Sequence, residues 1–452
     1  MKALLHPARV VALVFLMVIL LGTALLMLPV AQAEQQSTHW VTAFFTAVSA
    51  VCVTGLAVVD TGTYWSGFGQ VVILILFQLG GFGMMTLATL LGLVVNRSFR
   101  LRAKMVAQQE SRTLAIGDVS SVAKLVLVVT LGIEALITLL LTLRLHLAYD
   151  LPWSEAAWSG LFHAVSAFNN AGFSIHPDSL VRYASDAMIL LPVMAAIVIG
   201  GIGFPVLHDL RNRLYDPRHW SLHTKLTLGG TLVLLVLGFF GVLLFEWSNA
   251  ATLGPMAVGD KVLSAAFASV SARTAGFNSV DVGALTHESW GLHYLLMFVG
   301  GGSAGTAGGV KVGTVAILLL LVVAEIRGRS DTEAFGRRIS PSAQRQAITV
   351  LVLSSAMVVI GTLFILRDTD IATDKVIFEV VSAFGTVGLS TGITADLPHA
   401  SQLMLTLLMY VGRVGIVTLA VSLALGEHRM PYRYPEAVSY THLRAHETRE
   451  DL

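Results

Sequence analysis

One twelve-residue pattern occurs four times in this chain. Phe45-Thr-Ala-Val-Ser-Ala-Val-Cys-Val-Thr-Gly55-Leu56 recurs as Phe162-His-Ala-Val-Ser-Ala-Phe-Asn-Asn-Ala-Gly172-Phe173. It returns one residue shorter from Phe267 to Gly276-Phe277, and again from Phe378 to Gly388-Leu389. Each copy is a short apolar run holding a serine, then small or polar residues, then one glycine and a bulky apolar residue. Copies at roughly hundred-residue spacing mean a chain assembled from four similar units. We expect the four stretches to meet on one axis, with the rest of the chain holding them there.

The solvent for such a chain is lipid. Charged residues make up 13% of its 452 residues, against about 25% in an ordinary soluble domain. The single cysteine, Cys52, excludes an internal disulfide and a cysteine zinc site. Apolar segments near 10–30, 121–145, 224–245 and 346–366 are each followed by a repeat and then by a second segment, near 68–95, 187–207, 291–325 and 401–425. Each is close to the length a spanning helix needs, so eight transmembrane helices are expected. Ala31-Gln32-Ala33 resembles a signal-peptide cleavage site, but the run before it is longer than a signal core, and we expect it to stay as a first spanning helix. The repeat itself is too short to cross and reads as a re-entrant half-helix, whose irregular continuation must line a polar cavity or lie within protein.

The fold class expected is therefore an all-α membrane protein of four helix–pore loop–helix units around a central pore. The units span 1–95, 96–207, 208–325 and 326–436, the third with a broken second helix. The tail, 437–452, is polar, aperiodic and foreign in character; His442 and His446 in it have helical metal-ligand spacing but no third ligand. Lys and Arg cluster in 96–120, 208–225 and 327–345, which puts these segments and both termini in the cytoplasm.

Glycine in each repeat permits backbone conformations closed to other residues, and a ring of inward carbonyls can replace the hydration shell of a monovalent cation. Half-helix C-termini aimed at that ring would favour a cation further. A second set, Gly80-Gly-Phe-Gly83, Gly200-Gly-Ile-Gly203 and Gly412-Arg-Val-Gly415, follows at near-constant distance and suits close helix packing. In the third unit the pattern is expanded into Gly300-Gly-Gly-Ser-Ala-Gly-Thr-Ala-Gly-Gly-Val-Lys311; six glycines in 300–309 cannot sustain a helix, which should break just below the ring. Gly300-x-Gly302-x-x-Gly305 imitates a dinucleotide fingerprint but lacks a preceding strand. Gly301-Gly-Ser303-Ala-Gly305 imitates a nucleophile elbow, so an intramembrane serine protease is the rival reading, though no histidine is expected mid-helix near Ser303. Intramembrane charge is expensive: Arg273 reads as a clamp on loop carbonyls, Arg413 as part of a barrier or gate, and Glu134 and Glu379 have no assigned role.

These motifs, above all Ser-Ala-Arg-Thr-Ala-Gly276-Phe277-Asn278, the stretch to Lys311 and Tyr-Val-Gly-Arg413-Val-Gly415, resemble the Trk/Ktr/HKT superfamily of potassium uptake proteins over residues 8–436. Eight spans are most similar to the membrane subunit of its Ktr branch. The resemblance implies a transporter rather than an enzyme: potassium uptake, in many members sodium-assisted, across a bacterial inner membrane. It implies a homodimer, lipid around it, no nucleic-acid partner, and a cytosolic RCK-type ring that binds ATP or ADP. No covalent cofactor is implied. It carries a potassium selectivity filter onto Val53, Thr54, Gly55, Asn170, Ala171, Gly172, Thr274, Ala275, Gly276, Thr386, Val387 and Gly388. It carries a gate onto Gly301, Gly302, Ser303, Gly305, Gly308, Gly309, Lys311 and Arg413. Gly55, where sodium-transporting plant relatives have serine, implies potassium.

Overall fold

The computed structural model describes residues 7–83 and 117–415, with side chains over 12–83 and 126–415. Around each repeat the same helix order recurs. The first set is α1 (Pro7–Leu26), α2 (Trp40–Val51), the short α3 (Thr61–Tyr64) and α4 (Gly67–Gly83). The second is α5 (Gly117–Tyr149), α6 (Trp153–Phe168), α7 (Ala187–Ile202) and α8 (Phe204–Arg213). The third is α9 (Leu222–Glu246), α10 (Val258–Ser271), α11 (His287–Phe298) and α12 (Val312–Ile326). The fourth is α13 (Pro341–Arg367), α14 (Thr373–Gly385) and α15 (His399–Val414). Between the last two sets β1 (Glu333–Ala334) and β2 (Arg337–Arg338) form a small antiparallel hairpin in a segment expected to be only a basic loop.

Among the described residues three helices are long and apolar enough to cross a membrane, Val126–Tyr149, Leu222–Glu246 and Pro341–Arg367, or four if one bent pair counts as a single span. Their surfaces match lipid rather than water: Leu232, Phe240, Leu244 and Leu363 are each more than 60% exposed. Serine starts two of them. Thr224 N–H donates to Ser221 Oγ and Ala343 N–H to Ser340 Oγ, supplying acceptors to first-turn amides that have no helical partner. The expected continuous span over 187–207 is corrected: α7 stops at Ile202, and α8 leaves at 99° after Gly203. Gly203 has φ +92°, a conformation that ends a helix and that a side chain would strain. Gly415 ends α15 in the same way, at φ +88°.

The inside of the molecule is made by the repeats. Phe45, Phe162, Phe267 and Phe378, which open them, are fully buried, as are Ser49, Ser166, Ser271 and Ser382. The bulky residues after the glycines, Leu56, Phe173, Phe277 and Leu389, are buried too. The helices carrying them, α2, α6, α10 and α14, have 12, 16, 14 and 13 residues. At 1.5 Å per residue none spans about 30 Å of hydrocarbon. The N-terminal segment is part of this core: Phe15, Ile19, Leu26 and Ala31 are buried, and Tyr410 Oη donates to the Ala12 carbonyl. The motif resembling a cleavage site is folded in, with Ala33 N–H donating to the Tyr64 carbonyl at 3.0 Å.

Candidate functional site

The four repeat glycines form a closed ring. A Cβ added to Gly55 would lie 2.4 Å from the Ala171 carbonyl oxygen, and one on Gly172 would lie 2.7 Å from that of Ala275. On Gly276 it would lie 2.4 Å from the Val387 oxygen, and on Gly388 2.1 Å from the Thr54 oxygen. Each glycine thus faces the carbonyl that precedes the next glycine, and the fourth faces the first. The backbone repeats as well. The glycines have φ +89°, +69°, +77° and +95°, and the residues two positions earlier, Val53, Asn170, Thr274 and Thr386, have φ +56°, +57°, +72° and +50°. Three of those four are β-branched, for which positive φ is rare and strained. Such strain, about 1–3 kcal/mol per residue, persists only where the surroundings over-determine it, and it clusters at functional sites.

The repeat serines supply part of that determination. Gly55 N–H donates to Ser49 Oγ and Gly388 N–H to Ser382 Oγ, both at 3.1 Å. Ser166 Oγ donates to the Phe173 carbonyl at 2.8 Å, and Ser271 Oγ to the Phe277 carbonyl. Sequence reasoning noticed this serine and gave it no task; its recurrence six or seven residues around the turn was the available signal. Glu379 does similar work in the fourth repeat. Wholly buried, it accepts from Ser390 Oγ (2.6 Å), Thr391 N–H (2.8 Å) and Thr394 Oγ1 (2.8 Å), tying the loop after Leu389 to α14.

One side of the ring opens into a cavity of about 390 Å³ lined by all four glycines together with Asp60, Asp281, His176 and Ser390. Asp60 and Asp281 bring carboxylates to its wall, where they also cap local turns through Thr63 N–H and Gly283 N–H. His176 stacks on His163 with ring centres 4.8 Å apart. Burial, reinforced by nearby Arg182, lowers the His176 imidazole from its ordinary range to about 4, so it is neutral at pH 7.

The opposite side is closed by the segment between α11 and α12. Its neck is a pair of extended residues, Val299 and Val310, with Gly300 N–H donating to the Val310 carbonyl at 2.8 Å. Its body lies on the break between α7 and α8: Gly302 N–H donates to Gly201 O (2.9 Å), Thr306 N–H to Gly200 O (3.2 Å), and Phe204 N–H to Ala304 O (3.3 Å). Gly302 and Gly308 permit this approach, since a Cβ on either would lie 2.1 Å from the Ile202 oxygen or 2.0 Å from Thr386 Oγ1. Thr306 Oγ1 donates to Asn170 Oδ1 at 3.0 Å, joining the segment to the ring. Arg413, buried on α15, donates through Nη1 to the Thr306 carbonyl and through Nη2 to the Gly80 carbonyl at 2.9 Å. Lys311 Nζ donates to the Ala307 carbonyl at 2.5 Å. Arg273 reaches Gly300 O (2.9 Å) and Thr231 O (3.2 Å), two backbone acceptors on separate elements.

The structure therefore brings the ring residues together and sets the Gly301–Lys311 segment against them, with Arg413 bonded to that segment at Thr306. Ser303 is exposed, and among the described residues no histidine is hydrogen-bonded to it. Nothing among the described residues supports the protease reading. The short glycine pairs pack against pore-helix ends, a Cβ on Gly80, Gly200 or Gly412 falling 2.1, 1.9 or 1.9 Å from the carbonyl of Val51, Phe168 or Phe384. His442, His446, the tail, and most of the 96–120 segment lie outside the described residues.

The profile of the family described as TrkH, cation transport protein, matches residues 3–430. The chain is 41% identical over 437 residues to the Ktr system potassium uptake protein B of Bacillus subtilis, covering 96% of each. It is 35% identical over 440 residues to the potassium/sodium uptake protein NtpJ of Enterococcus hirae, again covering 96% of each. The crystal structure of the potassium transporter TrkH from Vibrio parahaemolyticus superposes with a TM-score of 0.69 at 19% identity, covering 91% of this chain and 84% of that one, which shows a shared fold.

Proposed function

This chain belongs to the TrkH family of cation transport proteins, and on that premise we propose that it carries potassium into a bacterial cell through the glycine ring. The observation that carries the reading is the closure of the ring, in which four glycines and the carbonyls of Thr54, Ala171, Ala275 and Val387 alternate around one circuit. Carbonyl oxygens in such a circuit replace the hydration shell of a monovalent cation. Thr54 Oγ1 and Thr386 Oγ1, buried and without hydrogen-bond partners among the described residues, add oxygen donors suited to the same cargo. The C-terminal ends of α2, α6, α10 and α14 lead directly into it, and their partial negative charge favours a cation. We read the twelve ring residues as the selectivity filter and the chain as four pore units, 1–95, 96–207, 208–325 and 326–436. The cavity is then the outer vestibule, and the N-terminus is cytoplasmic.

The inner segment and Arg413 form the gate in this reading. Arg413 holds the Thr306 and Gly80 carbonyls, and its charge opposes a cation in transit. A partner that shifts α12 would draw the segment away. The name of the Bacillus relative, a protein of a Ktr system, and the basic segments taken as cytoplasmic are consistent with a partner subunit; we read the assembly as a homodimer above an RCK-type ring that binds ATP or ADP, as the resemblance implies. The potassium/sodium name of the Enterococcus relative supports sodium assistance. The test is growth rescue at low potassium in a strain lacking uptake systems, with and without a co-expressed ring subunit. Rescue that strengthens with the ring is expected. No potassium uptake from well-expressed membrane protein in either condition would overturn the reading.

A further inference from the structure

The buried carboxylate of Glu134 serves none of the roles above. It is 4% exposed on α5, deep in an apolar span. Among the described residues no Lys, Arg or His is bonded to it. Its oxygens instead receive two side-chain amides, Asn169 Nδ2 on Oε1 at 3.1 Å and Gln78 Nε2 on Oε2 at 3.2 Å. Asn169 Nδ2 also reaches Gln78 Oε1 (2.5 Å) and the Val165 carbonyl (2.9 Å). The triangle therefore joins α4, α5 and the residue that ends α6.

That residue is the backbone neighbour of Asn170, the strained left-handed position of the second ring quadrant. Gln78 lies two residues before Gly80, whose carbonyl receives Arg413. A leucine at 134 would fill the space without the cost of an intramembrane carboxyl, so packing does not explain the residue. A carboxylate can accept at both oxygens, whereas a glutamine must turn a donor toward one of the two amides. The arrangement is particular to one quadrant: the positions corresponding to Asn169, three before each ring glycine, are Cys52, Arg273 and Gly385.

We infer that Glu134 is a positioning residue for the second quadrant of the ring. Through Asn169 and Gln78 it fixes where the Asn170–Gly172 backbone stands relative to the first unit, and thereby contributes to discrimination between potassium and sodium. The inference rests on the potassium reading above.

The experiment compares potassium and sodium flux in liposomes for the parent, Glu134→Ala, Glu134→Gln, Asn169→Ala and the double alanine variant, each checked for a monodisperse, cooperatively melting protein. Glu134→Ala should lower the potassium-to-sodium ratio about tenfold, and Glu134→Gln, which keeps one acceptor, about threefold. The double variant should be little worse than the more affected single, because Glu134, Asn169 and Gln78 form one hydrogen-bonded unit and Asn169 is its link to the ring. If the alanine variant does not fold, the glutamine variant decides. Parental ratios in folded Glu134→Gln and Glu134→Ala, or additive losses in the double variant, would overturn the inference and leave the potassium reading intact. A parent that does not prefer potassium would remove both.

Discussion

Replacing the ring glycines one at a time by alanine should grade the loss of selectivity by a quantity the structure supplies. At Gly388 the new Cβ would sit 2.1 Å from the Thr54 oxygen. Carbon and oxygen do not approach so closely, so that carbonyl must retreat by about 1.3 Å to restore ordinary contact. At Gly55 and Gly276 the corresponding distance is 2.4 Å and at Gly172 it is 2.7 Å, so the retreat shrinks to about 1 Å at the first two and to about 0.7 Å at Gly172. Positive φ adds strain of about 1–3 kcal/mol at each position. The carbonyl that moves is itself a ring oxygen, so the distortion acts on cation discrimination and not only on stability. Since about 1.4 kcal/mol is a factor of ten, strain of that size corresponds to a fall in the potassium-to-sodium ratio of roughly fivefold to a hundredfold. Gly388→Ala should be worst, Gly55→Ala and Gly276→Ala intermediate, and Gly172→Ala mildest. The assay is flux of each ion into liposomes containing the purified variants, with melting curves to show that each is folded. Parental discrimination in all four folded variants would refute the filter assignment. A reversed order, with Gly172→Ala most damaged, would refute the reasoning from neighbouring carbonyls.

Three further outcomes are expected. Deleting Gly302–Gly309, or replacing Arg413 by Gln, removes contacts that hold the inner segment closed, each charged hydrogen bond being worth about 1.5–3 kcal/mol. Ring-independent potassium flux should rise about tenfold or more, and a folded deletion variant with flux no higher than the parent's would place the gate elsewhere. Ser166→Ala leaves the buried Phe173 carbonyl without its donor and should cost about 1–3 kcal/mol, seen as a lower melting midpoint; an unchanged midpoint would count against the serine braces. His176 has a folded-state value near 4 against an ordinary 6.5, because burial and then Arg182 oppose its charge. The unfolded chain therefore takes up the proton first, and the stability held by neutral His176 is complete above about pH 6.5 and lost as pH falls toward 4. Melting midpoints of parent and His176→Asn between pH 7 and 4.5 should converge toward the acid end, and parallel curves would contradict this.

The lipid environment, the four repeats, the glycine of each and the break before Lys311 were legible in the residues, because each is a local property. A phenylalanine buried in a half-helix, a serine facing its own turn and a glycine-rich stretch that cannot stay helical all act within about ten residues. Other features depended on residues far apart in the chain. Gly388 faces Thr54, Arg413 reaches Gly80, and Asn169 meets Gln78 and Glu134 only once four units have closed into a circuit. The left-handed Val53, Thr274 and Thr386 run against their own local preference, so no propensity could have announced them. The sharp turn at Gly203 was equally hidden, since its short glycine pattern serves helix packing as readily as a break, and the segment from the third unit lies against it. Composition and repetition determined that a membrane chain would carry four short helices, each running into a glycine turn. Which carbonyl each loop presents to its neighbour was decided by tertiary structure, because only the closed circuit supplies the contacts that outweigh the strain of making it.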